Sequence, residues 1–327
     1  MNSRNYYFDN AKFFLICMVI LGHCIARLGS GEIENAVDAS VYFFHMPVFI
    51  FISGYFSKKT DFQKFKKTII KLCEALIVFE LLHISLRIAL FDYKITISTL
   101  LVPQWSLWYL LSLIFWRTIV QYIMIPPRSF FVAIVIGVIA GFVPLNGPIS
   151  FQRTCSLLPF FISGYLCGRE KVDLSIIEKI PIVLAAGIIL ALPFVVYCID
   201  FPFKDCLEGL NSYHKFGFPL WFSAIMRLLL YICCFIASVC VMRLIPQKRI
   251  PWISEQGANT LLYYLYHTLI IYVLIWIREY VNLPTSFVAI LCYLILIVFI
   301  IWCMTNITFF KNLPNIISFY INKRKIS

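Results

Sequence analysis

The chain alternates long apolar stretches with short polar ones. Ten of these stretches approach the roughly 20 residues that a helix needs to cross a bilayer. They run near Tyr7–Leu28, Ser40–Phe56, Thr68–Phe91, Trp105–Met124, Phe130–Pro144, Thr154–Gly168, Ile180–Ile199, Leu220–Leu244, Asn259–Ile277 and Ser286–Ile307. The fifth and sixth are short, and the glycine- and proline-containing join Gly141–Gly147 has the composition of a re-entrant turn. The pattern predicts an all-α integral membrane protein of about ten transmembrane helices, organised as one polytopic domain over residues 1–327.

The basic residues orient these helices. With the N-terminus inside, eighteen Lys and Arg fall in inner loops and tails, among them Lys64, Lys67, Lys71, Lys171, Arg243, Lys248 and Lys325. Six fall outside: Arg27, Lys94, Arg153, Lys204, Lys215 and Arg278. The positive-inside rule then places both termini in the cytoplasm. Asp9 and a poor small-residue cleavage site argue that the first stretch is a retained helix and not a signal peptide.

Composition agrees with a membrane solvent. Hydrophobic residues make up 61% of the 327 residues and charged ones 13%, with mean hydropathy +0.87. Soluble domains carry about 25% charged residues, so a conventional soluble enzyme, a disordered chain and a coiled coil are excluded. The net charge of +12 belongs to cytoplasmic loops beside anionic lipid, and no basic run interleaved with exposed aromatics points to nucleic acid. The 12 cysteines lie mostly in apolar runs without metal-ligand spacing, so neither a disulfide framework nor a metal site is expected.

One pentapeptide occurs twice. Phe51-Ile52-Ser53-Gly54-Tyr55 returns as Phe161-Ile162-Ser163-Gly164-Tyr165, after Pro47 and Pro159 respectively. Both copies fall in stretches expected to run from outside to inside. Similar small-residue packing at helix crossings is the plainer account of the repeat, and internal duplication the other.

Ionisable residues inside a bilayer are costly and therefore functional candidates. Lys12 and His23 lie in the first stretch, His45 in the second, and Glu74, Glu80, His83 and Arg87 in the third. Arg117, Arg227 and His267 follow in later ones. Eleven residues turn a helix through about 1100°, so Lys12 and His23 share a face, about 16 Å apart along the axis. Lys12 then stands near the cytoplasmic interface and His23 near the midplane. Gly22 removes a side chain beside the histidine, where a ligand or another helix can approach. The register suits a long ligand that is anionic at one end and reactive at the other, such as acyl-CoA. A snorkelling lysine and an interhelical histidine hydrogen bond account for the same pair.

These motifs resemble a known family. Asp9-x-x-Lys12 with Gly22-His23, then Phe44-His45-Met46-Pro47 and Ser53-Gly54-Tyr55, are similar to the membrane acyltransferase-3 family, in the branch typified by fucose 4-O-acetylase. Leu107-Trp108-Tyr109-Leu110 leading to Trp116-Arg117, Arg153-Thr154 before Pro159-Phe160-Phe161, and Tyr266-His267 continue the resemblance in order. It implies transfer of an acyl group, usually acetyl from acetyl-CoA and alternatively succinyl, to a hydroxyl of a cell-envelope polysaccharide or its lipid-linked precursor. It also implies a place in the bacterial inner membrane.

In the family's basic-x10-His motif Lys12 stands where arginine is usual, keeping the charge without bidentate phosphate contact. Lys64, Lys67 and Lys71 replace an Arg-x-x-Arg found in some branches. His23 is the expected general base. Glu80 is a candidate catalytic carboxylate that orients it, or else a structural partner of Arg87. Lys12, Arg153 and Arg117 are the candidate acyl-CoA contacts. Arg153 is also compatible with the acceptor, because the topology puts it near the outer face. His45, Trp108, Tyr109 and His267 are the candidate acceptor contacts, with packing or interhelical bonds as the alternative for the histidines. Pro47 is expected to kink the second helix. The outer loop Asp200–Gly217 is a candidate glycan contact. Membrane lipid is an expected partner, and a homo-oligomer is compatible with the sequence without being required by it. The competing class is a secondary transporter or exporter of a glycan or small solute, for which scattered intramembrane His, Glu and Arg would serve proton coupling. The Lys12–His23 register favours the transferase, and a non-catalytic membrane scaffold is the third reading.

Overall fold

The computed structural model describes residues 5–29, 31–96, 99, 101–144, 150–199 and 201–316. Among the described residues the regular elements are all helical. The α-helices are α1 Tyr6–Leu28, α2 Glu32–Val41, α3 His45–Tyr55, α4 Phe62–Phe91, α5 Trp108–Tyr122, α6 Ser129–Ala140, α7 Phe151–Ser156 and α8 Leu158–Arg169. They continue as α9 Ile182–Cys198, α10 Phe203–Glu208, α11 Leu220–Leu244, α12 Pro251–Ala258, α13 Thr260–Tyr280, α14 Phe287–Thr305 and α15 Thr308–Asn312. Each of the ten apolar stretches coincides with one of these helices or a consecutive pair. Among the described residues, five segments can cross a bilayer by length and composition: α1, α2 with α3 as one run, α11, α13 and α14. Helices α6 and α9 are apolar but shorter. Residues 145–149, in the join after α6, and Asp200 lie outside the described residues.

Local chemistry sets the helix ends. The Asn5 side chain accepts from Tyr7 N–H and the Asp61 side chain from Lys64 N–H, so each supplies an N-terminal orphan donor with a partner. The second stretch departs from expectation: it is broken, not kinked. A turn over Tyr42–Phe44 separates α2 from α3, and Pro47 falls in the first turn of α3. There its missing N–H costs no helical bond. The sixth stretch breaks in the same way at Leu157, with Pro159 in the first turn of α8.

Helix α1 is the hub, packing on α2, α3, α12, α13 and α14. Asn10, 2% exposed, donates to the carbonyls of Pro246 and Lys248 at 2.8 and 2.9 Å and accepts from Ser254 at 2.6 Å. Tyr7 donates to the Met242 carbonyl, and Arg243 to that of Ile180. The basic segments around residues 171–179 and 243–249 thus gather at the N-terminal end of α1. At the other end Arg278 donates to the Arg27 carbonyl. Apolar side chains cover the outside: Val183, Leu190 and Val288 are each at least 70% exposed. Water would penalise that surface and lipid does not.

The two copies of the repeated pentapeptide pack on each other. A Cβ on Gly54 would strike the Phe161 carbonyl oxygen, and one on Gly164 would strike that of Phe51. Gly168 abuts Tyr55 in the same sense. Residue numbers rise together on both sides, so α3 and α8 are parallel, as expected of two stretches running the same way. This is small-residue packing at a crossing. Gly164 and Gly168 form the GxxxG spacing associated with such contacts.

Candidate active site

A cavity of about 470 Å³ opens beside the second half of α1. Ile16, Val19, His23, Ala26 and Arg27 line one wall, spaced as one helical face. Tyr42, His45, Met46 and Phe49 form the next wall; Trp105, Trp108, Tyr109, Arg153 and Tyr264 close the far side; Lys204 and Glu208 come from α10. His23, His45, Trp108, Tyr109 and Arg153, separated by up to 130 residues of sequence, therefore meet around one space.

His23 differs from the other intramembrane histidines by one bond. The Nδ1 atoms of His45, His83 and His267 lie 2.7, 2.7 and 3.0 Å from the carbonyls of Val41, Phe79 and Tyr263, each four residues back in sequence. A carbonyl only accepts, so those rings donate through Nδ1 and keep the lone pair on Nε2 when neutral. His23 makes no hydrogen bond among the described residues. Its ring meets the edge of Trp105 at 5.0 Å and lies 5.3 Å from the ring of His267, at 26°. An imidazole in a cavity wall with both nitrogens uncommitted can take a proton from a hydroxyl and pass it on.

The space beside Gly22 is filled by another helix. A Cβ there would lie 2.7 Å from Oδ1 of Asp38 on α2, a residue 1% exposed. The other oxygen of Asp38 accepts from Lys204 at 2.5 Å. A second polar chain runs along the cavity rim. Arg153 donates to Glu208 at 3.2 Å, Tyr42 donates to the other oxygen of Glu208 at 3.1 Å, and the Arg153 guanidinium sits 5.0 Å over the Trp108 ring. Arg27 lies 4.9 Å over Trp105. Cations predominate at this mouth.

Glu80 reaches His23 only indirectly. Its carboxylate accepts the Gln104 N–H at 3.1 Å, while Arg87 donates to the Gln104 side chain at 2.5 Å. Neither a Glu80–His23 contact nor a Glu80–Arg87 ion pair occurs among the described residues. The two side chains instead clamp Gln104, which precedes Trp105. Trp105 has φ +39°, rare for a bulky residue and held by its surroundings. The clamp thus positions the indole that edges His23.

The expected acyl-CoA contacts do not converge. Lys12 pairs with Asp9 at 2.9 Å, and it stands one turn beyond Ile16, where the cavity wall on α1 ends. Arg117 is outside the cavity wall, its Nε buried without a partner among the described residues. Arg153 is inside, on Glu208. His267 is 0% exposed and lies behind His23, not in the wall. Arg227 donates to the Cys206 carbonyl and so braces α10. Among the described residues no group of three His, Cys, Asp or Glu is placed to hold a metal ion.

Lys204 and Glu208 lie on the polar α10 within the outer loop Asp200–Gly217, which is their one signal in the sequence, whereas Asp38 on α2 and Tyr42 in the turn after it carry none.

Comparison with known proteins bears on the chemistry of this cavity. The nodulation protein NolL of Mesorhizobium japonicum (strain LMG 29417 / CECT 9101 / MAFF 303099) is 41% identical over 71 residues, 19% of this chain and 18% of that protein. The match thus spans under a fifth of that protein's length. No solved structure matches the chain. The acyltransferase domain family matches residues 5–306, from the cap of α1 to the end of α14. The chain therefore belongs to the acyltransferase-3 family.

Proposed function

We propose that this protein is an O-acyltransferase of the bacterial inner membrane, in the branch typified by fucose 4-O-acetylase. It moves an acetyl group, or a succinyl group, from cytosolic acyl-CoA to a hydroxyl of a cell-envelope polysaccharide or its lipid-linked precursor. The observation that carries this reading is the free imidazole of His23 in the wall of a cavity of about 470 Å³.

In this reading the acceptor sugar occupies the cavity. Trp108 and Tyr109 give it aromatic faces, and His45 offers Nε2 as a hydrogen-bond acceptor. Arg153 serves the acceptor or the developing oxyanion, because it stands with Glu208 at the C-terminal end of α1, opposite Lys12. The donor comes from the Lys12 end. Lys12 and Ile16 share a helical face and are about 6 Å apart along the axis, so one turn of α1 separates the lysine from the cavity floor. His23 takes the proton of the acceptor hydroxyl as its oxygen attacks the thioester carbonyl. The C–O bond forms, the C–S bond breaks, and the proton passes to the thiolate.

The test is glycan acylation in cells carrying His23→Ala, with expression and membrane insertion checked by immunoblot. Loss of the acyl signal in glycan NMR is expected. Wild-type acylation by this variant would overturn the reading.

A further inference from the structure

Among the described residues, His267 is the intramembrane histidine with a ring nitrogen both buried and without a partner. Its Nδ1 donates to the Tyr263 carbonyl at 3.0 Å, which leaves the lone pair of the neutral ring on Nε2. That Nε2 is buried and has no hydrogen-bond partner among the described residues. A buried acceptor in this state forgoes the hydrogen bond it would make in water, and such orphans call for an explanation. His83, by contrast, uses both nitrogens, with Nε2 2.7 Å from the Thr268 hydroxyl. Because Thr268 follows His267, that bond also fixes α13 against α4 at this level.

The neighbour of the orphan is the His23 ring, 5.3 Å away between centroids and 26° from parallel. His23 has no hydrogen bond of its own among the described residues, so its ring is free to turn an N–H toward Nε2 of His267. We propose that His267 is the positioning residue of His23: its Nε2 accepts the His23 N–H, which leaves the other His23 nitrogen unprotonated and turned to the cavity. The inference rests on the reading of His23 as the base. During transfer the acceptor proton goes to that second nitrogen and then to the thiolate sulfur. The first N–H stays bonded to His267 throughout, so His267 neither gains nor loses a proton. This is the role that a hydrogen-bonded partner plays for catalytic histidines generally, fixing tautomer and orientation.

The experiment is imidazole ¹⁵N NMR of the full chain in nanodiscs with only its five histidines labelled, assigned by single substitutions and joined to kinetics. In the wild type, His23 is expected as one fixed tautomer, and the His267 Nε2 resonance is expected to be displaced by a hydrogen bond. A wild-type His23 that averages its two tautomers would overturn the proposal, whatever the variants do. His267→Phe keeps ring volume and removes the acceptor; His23 should then average its tautomers and kcat fall about 10- to 100-fold, with KM for acetyl-CoA little changed. His267→Gln restores an acceptor oxygen and should recover most of kcat. Equal loss in Phe and Gln variants that retain the wild-type unfolding temperature would also overturn it. Failure of the base reading has a different signature: His23→Ala would then keep its activity, whatever tautomer the wild type shows.

Discussion

Gly54 and Gly164 occupy the same position in two copies of one pentapeptide, and each lies against the backbone carbonyl of the other copy's phenylalanine. The contact is reciprocal, like that of a parallel helix dimer folded into one chain. It brings α3 close to α8, and with it the wall containing His45 and Phe49 to the segment containing Arg153.

Side chains at these glycines would meet backbone, which cannot swing aside. Gly54→Ala and Gly164→Ala are therefore expected to destabilise by about 1–3 kcal/mol each, the range for overpacking. Gly187, inside α9 with nothing within 4 Å of an added Cβ, supplies the control. Gly187→Ala should be neutral or stabilising by about 0.5–1 kcal/mol. Unfolding temperatures in one detergent decide it: a Gly164→Ala midpoint equal to that of Gly187→Ala would refute the crossing.

A second prediction concerns Glu80. Because its carboxylate accepts the Gln104 N–H, Glu80→Gln keeps an acceptor oxygen there and should hold transfer within about threefold. Glu80→Ala leaves that N–H without a partner, loosens Trp105 and should cost on the order of tenfold, reflecting about 1–3 kcal/mol. A group acting directly in proton transfer would instead lose about 10²- to 10⁴-fold in the Gln variant. Steady-state kinetics of the two variants separates these outcomes.

Much of this architecture is legible in periodicity. Apolar runs mark where helices form, because bilayer burial acts on every residue of a span alike. The Lys12–His23 face is legible for the same reason, since helical geometry fixes it locally. What is not legible depends on partners distant in sequence. Pro47 announces a disturbance in the second stretch, but its missing N–H is equally compatible with a kink or with a new helix start. Asp38 and Glu208 look like ordinary loop acids until folding sets Lys204 and Arg153 beside them. Glu80 and His83 share a helical face, yet the bond that matters for Glu80 goes to the backbone of Gln104, 24 residues on. His267 reads as a cavity residue because its motif does not reveal that the His23 ring stands beside it, in the wall itself.

Topology is testable independently of chemistry. The segments around residues 171–179 and 243–249 lie with the N-terminal end of α1. Reporter fusions after Lys67, Lys171 and Lys325 should therefore read cytoplasmic, and those after Glu34 and Glu208 external. Glu34 is the sharpest position, because it follows α1 directly. A cytoplasmic reading there would mean that α1 does not cross, and the depth assigned to His23 would fall with it.

The last prediction separates donor anchoring from catalysis along α1. Lys12 is 27% exposed at its side chain and pairs at 2.9 Å with Asp9, whose side chain is 9% exposed, so a donor phosphate would join that pair at the exposed face of the ammonium. If it holds the donor, its contact exists equally in the ground state and the transition state, and such uniform binding sets affinity more than turnover. Lys12→Ala should raise KM for acetyl-CoA with kcat on a soluble acceptor analogue little affected. Lys12→Arg should match or improve on the wild type, since a guanidinium adds bidentate phosphate contact. His23→Ala should show the reverse, losing kcat by about 10²-fold or more. The measurement is acetyl transfer by purified, reconstituted protein over a range of donor concentrations. Should both variants lose kcat alone, Lys12 is part of the Asp9 ion pair and no more, and the donor reaches His23 by another path than the first helix.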